Sequence, residues 1–418
     1  MTRFALAFVC LLAAPCTDTA SAQVAYVYVQ TAKGVNLYDA SSTGKLSLVS
    51  GSPFQTTGQM IGSNGTHFIT LGTDYVHSYP IASNGAIKEQ VSEINTQSYS
   101  DADCGTTAGA VLDHTGQYLY VSLGGGSLPP DSGQGAATSC DALQTFSIGK
   151  SSGELTFKGA TSFGSVQGST SFAPLPTFSG NGAFAYEILC CYSDSGDSLL
   201  TGFSRESSGA LTNSDPLVPD NAPAAQQPGW FYQPVPERLT GEPPPLYPVA
   251  SATDIAADST NHLAVLVCPV QPEPSGCWDG TSYPYQLASY TIGSKGQITS
   301  TNTWENMPTL PLAASACDDG CPTIGMTISP SGKILAVSVA TGVRFFHFNG
   351  AEPITEFTGI IGTSGYISSM QWDNSNHLYA VNGASGKLHV YTVTTSSAVE
   401  AAGSPYPIGA QGLVVVSK

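Results

Sequence analysis

Seven short segments of this chain carry an aromatic residue at the same position of one pattern: VNLYDA, VHSYPI, LQTFSI, LTGFSR, LASYTI, VRFFHF and LHVYTV. The shared positions are Tyr38, Tyr79, Phe146, Phe203, Tyr290, Phe346 and Tyr391. Most copies run into a polar, glycine-containing turn and then an apolar residue, as in STGKL, SNGAI, SSGEL, SSGAL and SKGQI. Such a unit cannot bury both of its faces alone, so neighbouring units must stack.

Upstream of each aromatic segment lies another strand, such as YLYVSL, FAYEIL, LAVLVC or LAVSVA. Before that come a tight turn (HTGQ, GNGA, STNH, SPSG or NSNH) and a small, mostly uncharged strand such as GAVLD or IGMTIS. Each unit is therefore four antiparallel strands, rich in the Tyr, Val, Leu and Thr that suit a half-buried sheet. The fold class is all-β, a β-propeller. Residues 24–54 supply only three strands, and QGLVVVSK near the C-terminus supplies an inner strand with nothing after it. Six full units and one composite predict seven blades. Leu413 to Ser417 is expected to complete the first blade, which seals the ring and removes exposed sheet edges.

Residues 1–22 read as a signal peptide: Arg3, an apolar run FALAFVCLLAA, then Ala20-Ser21-Ala22 before Gln23. That run is 11 residues, whereas a bilayer needs about 20. Pro15 disfavours a lipid anchor on Cys16. The expectation is a secreted or periplasmic, monomeric propeller over 23–418, with a Pro-rich insertion at 220–249 and no membrane span. The formal net charge of −17 opposes binding to nucleic acid or anionic membranes.

Turn glycines 41 residues apart (Gly44 to Gly85) give way to intervals of 68, 56 and 87 (Gly85, Gly153, Gly209, Gly296). The excess lies in 124–141, 190–198, 220–249 and 269–285, loops that project from one face over blades three to five. Function gathers on such loops, and they suggest an asymmetric cap. Eight cysteines follow the leader, and an even number in an exported chain suggests disulfides. Cys104 with Cys140, Cys268 with Cys277 and Cys317 with Cys321 are compatible pairs. Cys190 and Cys191 bridge each other or pair elsewhere. Zinc is the rival reading, and the absence of nearby histidines weighs against it.

GKSSG (Gly149 to Gly153) matches the nucleophile-elbow pattern, but it is one of the repeated hairpin turns and is assigned to structure. The histidines are His67, His77, His114, His262, His347, His377 and His389. Four fall at inner hairpin turns and three on third strands, with no metal-ligand spacing, so no metal site is assigned to them. Asp101, Asp103, Asp318 and Asp319 lie in short acidic loops, DADC and CDDGC, to which Ca²⁺ is the one cofactor that could be offered. Asp254 begins an inner strand and is expected near the channel entrance, as the leading ligand-facing and catalytic candidate. Trp230, Tyr232 and Arg238 in the insertion are further ligand-binding candidates, though the aromatics suit anchoring of the insertion better.

The repeat resembles the lactonase-like seven-bladed propellers, the family of bacterial 6-phosphogluconolactonase. SPSGKILAVSV followed by VRFFHFNG, and LQTFSIGKSSGELTF, carry the likeness best. It implies the fold over residues 24–418 apart from the insertions. Family enzymes carry a His-rich approach to a middle-blade inner strand and an acidic, glycine-containing motif. The corresponding AGAVLDHTGQYLYVSLGGG has neither, and the acidic face does not suit a phosphorylated lactone. The leading expectation is a module that binds a small molecule, saccharide, peptide or cell-surface component. The alternative is a hydrolase of an unphosphorylated lactone at the channel mouth.

Overall fold

In a computed structural model, the described residues are 22–99, 107–123, 142–162, 175–189, 199–213, 250–269, 285–302, 306–310, 325–339, 341–357, 361–363, 365, 367–409 and 412–417. They form seven antiparallel sheets of four strands. We name the strands a to d from the channel outward. Blade 1 takes strands b to d from Gln23–Thr31, Gly34–Ser41 and Leu46–Leu48, and strand a from Val414–Ser417. Val27 pairs with Val416 and Val29 with Val414, so the C-terminal strand closes the ring as the repeat predicts. Blades 2 to 7 follow in chain order with strands b at His67–Leu71, Tyr118–Leu123, Phe184–Leu189, His262–Pro269, Ile334–Val339 and His377–Asn382.

The seven pattern aromatics all lie on strand c and are all buried. Each faces the same position of strand b: Val27, Phe68, Leu119, Ala185, Leu263, Leu335 and Leu378. The hydrophobic core is divided among the seams between blades. One cluster joins blade 1 to blade 7 through Val27, Val29, Tyr379 and Val381, and another joins blades 3 and 4 through Tyr120, Leu143, Ala185 and Phe203.

Each of the six a–b turns is held by one side-chain acceptor on the first strand b amide or a neighbouring one. Asn64, Asp113, Ser179, Asp258, Ser329 and Asp373 accept from the amides of His67, Tyr118, Phe184, His262, Ile334 and His377. This is the local side-chain bond that favours Asn, Asp and Ser in turns.

The turn glycines do more than reverse the chain. In six c–d turns the glycine takes a left-handed φ, from +65° to +87°, which an L side chain adopts only at a cost. A Cβ there would run into a ring on strand b of the preceding blade. Gly44 meets His377, Gly85 meets Tyr26, Gly153 meets His67, Gly209 meets Tyr118, Gly296 meets Phe184 and Gly350 meets His262. In three seams a tyrosine two residues further along strand b ties the same glycine by its carbonyl. Tyr28, Tyr120 and Tyr186 donate to Gly85, Gly209 and Gly296 at 2.8, 2.6 and 2.7 Å. The seventh seam departs on both sides at once. The blade 7 turn, Thr394 to Ser397, has no glycine, and the residue of blade 6 that would supply the ring is Ile334.

The outer strands differ from the simple four-strand unit. In blades 5, 6 and 7 a second short segment also pairs with strand c: Thr309–Leu310, Ile361–Gly362 and Tyr406–Pro407. The outer edge is thus made in two pieces. Prolines at 308, 353, 405 and 407 cluster there, where an edge position tolerates a missing amide.

Candidate functional site

Asp254 is the one sequence-derived ligand candidate whose side chain falls among the described residues. It is the fifth residue of the inner strand Ala250–Ala257, not its first. A bulge between Ala252 and Asp254 resets the register there, and Asp254 pairs with Leu266. The inner strands of blades 3 and 7 carry a bulge at the same level, followed by Gly109 and Ser369. Ser369 Oγ accepts from the Val414 amide of the next inner strand at 3.3 Å. A Cβ at Gly109 would lie 3.3 Å from Leu175, which leads into blade 4. The position therefore looks across to the next blade, and only in blade 5 does it hold a carboxylate among these three.

Its surroundings set its chemistry. The Ile255 amide donates to Oδ1 at 2.8 Å. Part of the residue is exposed, but Oδ2 is buried and has no partner in hydrogen-bond geometry. Burial pushes the carboxyl up to about 8, against the opposing pull of the Ile255 and Met326 amides. The group is then mostly neutral at pH 7, with a proton to give.

The remaining candidates separate by location. Asp101, Asp103, Trp230, Tyr232, Arg238, Asp318 and Asp319 lie outside the described residues, as do Cys104, Cys140, Cys190, Cys191, Cys277, Cys317 and Cys321. The backbone of Cys268 belongs to strand b of blade 5, opposite Ser251. Gly149 to Gly153 is a c–d turn, with the Gly153 amide donating to the Gly149 carbonyl and Gly153 against His67.

The histidines are structural where their partners are described. His262 and His377 bond Asp258 and Asp373 at 3.0 and 2.7 Å. Burial alone would raise Asp373, but the hydrogen bonds from His377 and Tyr379 outweigh it and hold its carboxyl below the ordinary value. His77 and His389 pair with Glu93 and Glu400 across strands c and d. Arg344, one of few cations on the loop face, is engaged by Glu356. No group of three or more His, Cys, Asp or Glu suited to a metal ion occurs among the described residues.

One group was passed over in the sequence. Glu187 is fully buried on strand b of blade 4, and neither of its carboxylate oxygens has a partner. Aligning the seven strands b would have exposed it. The equivalent residues are Val29, Thr70, Val121, Val265, Val337 and Ala380.

No protein-family model and no curated protein sequence matches the chain. Solved structures do. A protein of Bacteroides fragilis, described as a candidate 6-phosphogluconolactonase, superposes with a TM-score of 0.58 at 12% identity, covering 95% of this chain and 98% of that one. The periplasmic gluconolactonase of Pseudomonas aeruginosa gives 0.54 at 11% identity over 94% and 100%. A Lactobacillus plantarum protein gives 0.56 at 12% identity over 95% and 100%. At such identities the likeness is one of fold, and the fold is a seven-bladed β-propeller.

Proposed function

We propose that this protein is an exported hydrolase of unphosphorylated sugar lactones in which Asp254 holds and delivers a proton. The observation that carries the reading is Asp254 itself. It is a carboxyl raised to about 8 on an inner strand, at a level where the inner strands of blades 3 and 7, bulged there too, carry glycine and serine. In lactone hydrolysis water adds to the carbonyl carbon and the bond to the ring oxygen breaks. A neutral carboxyl supplies the proton that the departing oxygen needs, and the proton lost by the attacking water restores it. The fold shared with a periplasmic gluconolactonase supports the substrate class. The net charge of −17 argues against a phosphorylated substrate.

A panel of sugar lactones, with and without phosphate, tests this against the spontaneous rate. Turnover of unphosphorylated lactones is expected, falling as pH rises through about 8 because the proton donor is then lost. Asp254→Asn should lower kcat by about 10²-fold or more while leaving the fold intact. A wild-type rate no faster than buffer would overturn the hydrolase. The protein would then be read as a noncatalytic module that binds a saccharide or peptide on its loop face.

A further inference from the structure

The seam between blades 3 and 4 holds buried polar atoms that the other seams lack as a set. Glu187 pairs with Thr201 on a face shared with Ala185 and Phe203, which pack against Tyr120 and Leu143 of blade 3. The blade 3 residues on that face include Ser122, opposite Leu143, and Thr145, opposite Tyr120. Thr161 on the same face donates to the Leu211 carbonyl of blade 4 at 2.5 Å. Ser122 Oγ, Thr145 Oγ1 and both Glu187 oxygens are buried without partners. An ionised, unpaired carboxylate in such a place is strongly unfavourable.

The charges nearby do not relieve it. Arg205 is the one described cation on this face, and it is committed to Asp113 at 2.9 Å and to the faces of Tyr118 and Phe178. The Tyr118 and Tyr120 hydroxyls donate to the Ser207 and Gly209 carbonyls. A bound cation fits poorly, because two carboxylate oxygens and two hydroxyls fall short of the six to eight oxygens that Ca²⁺ takes. Burial pushes the Glu187 carboxyl well above its ordinary value.

We propose that the blade 3–4 seam is a proton-operated joint, tight while Glu187 is neutral and loosened when it ionises. The sign follows from linkage. A carboxyl raised in the folded state binds its proton more tightly there than in the unfolded chain. Its stabilisation is complete below the ordinary value of 4.5 and is lost as pH rises toward the folded value. The Glu187 contribution to this seam is thus greatest in acid.

The test compares melting temperature from pH 4.5 to 8.5 in the whole chain, in an Asp254→Asn background, because Asp254 titrates in the same direction. Glu187→Val restores the residue of the repeat and Glu187→Gln keeps the shape. Both variants should lose less melting temperature than their parent as pH rises. Hydrogen exchange, corrected for its intrinsic pH dependence, should show strands 118–123 and 184–189 losing protection at pH 8 in the parent but not in Glu187→Val. Equal slopes in parent and variants would overturn the proposal. Failure of both variants to fold at pH 5 would also overturn it, as it would show that Glu187 has an indispensable partner. So would a rise in the parent's melting temperature on adding calcium chloride at pH 8 that Glu187→Gln abolishes, since the seam would then be a cation site.

Discussion

Single residues carry the geometry that lets one blade dock on the next. Gly209 has φ +87°, and a Cβ there would overlap the Tyr118 ring. The ring cannot retreat, because its hydroxyl is held by Ser207 and Arg205 lies over its face. Gly209→Ala is therefore expected to destabilise the protein by about 1–3 kcal/mol from backbone strain alone, with the overlap adding to it. Chemical denaturation should show a lower midpoint with an unchanged slope, since the loss is of native-state fit. Ser208→Ala is the control. It removes only two exposed bonds within the turn, one from the Ala210 amide and one to the Glu206 carboxylate, and its midpoint should move little.

At the scale of elements, the tyrosine that reaches the neighbouring turn makes a seam directional. Tyr28, Tyr120 and Tyr186 are each buried and each donate to a carbonyl 57, 89 or 110 residues downstream. Burial raises their pKa values well above that of a free tyrosine, so they remain donors through any physiological pH. Replacing one by Phe removes a buried bond worth about 0.5–1.5 kcal/mol. The three lie in different seams, so the triple variant should lose close to the sum of the single losses. A much larger loss in urea denaturation would mean that the seams act cooperatively. The partners also show what a linear reading reaches. The aromatic on strand c and the turn glycine repeat within one unit, so both were legible, and so was the seven-blade count. The ring that each glycine meets lies in another unit, and no period within a unit announces it. Asp254 was legible as an inner-strand acid, but the bulge at Ala252 moves it inward and turns it toward Met326. Glu187 was hidden for another reason: FAYEIL reads as an ordinary strand until its six counterparts are laid beside it.

The whole molecule depends on a strand of four residues. Val414–Ser417 pairs with Tyr26 to Val29, and it also touches both neighbours of blade 1. The Val414 and Val416 amides donate to Ser369 and Gln371 of blade 7, and the Ser417 hydroxyl accepts from Ser63 of blade 2. Val414 is buried in the blade 7 seam and Val415 in the blade 2 seam. Truncation after Gly412 takes both valines from the core, each worth about 1.5–3 kcal/mol when fully buried. It also frees the edge of VAYVYV, a β-branched and aromatic segment suited to pairing with another chain. A native domain holds only about 5–15 kcal/mol in reserve, so the truncated protein should aggregate or melt far below the parent. The pair of outcomes can be separated by restoring the strand in trans. A synthetic GLVVVSK peptide should return the truncated protein to a monomer if the lost edge is the cause. A truncated protein that stays monomeric, melts like its parent and ignores the peptide would mean that the ring does not rely on this closure.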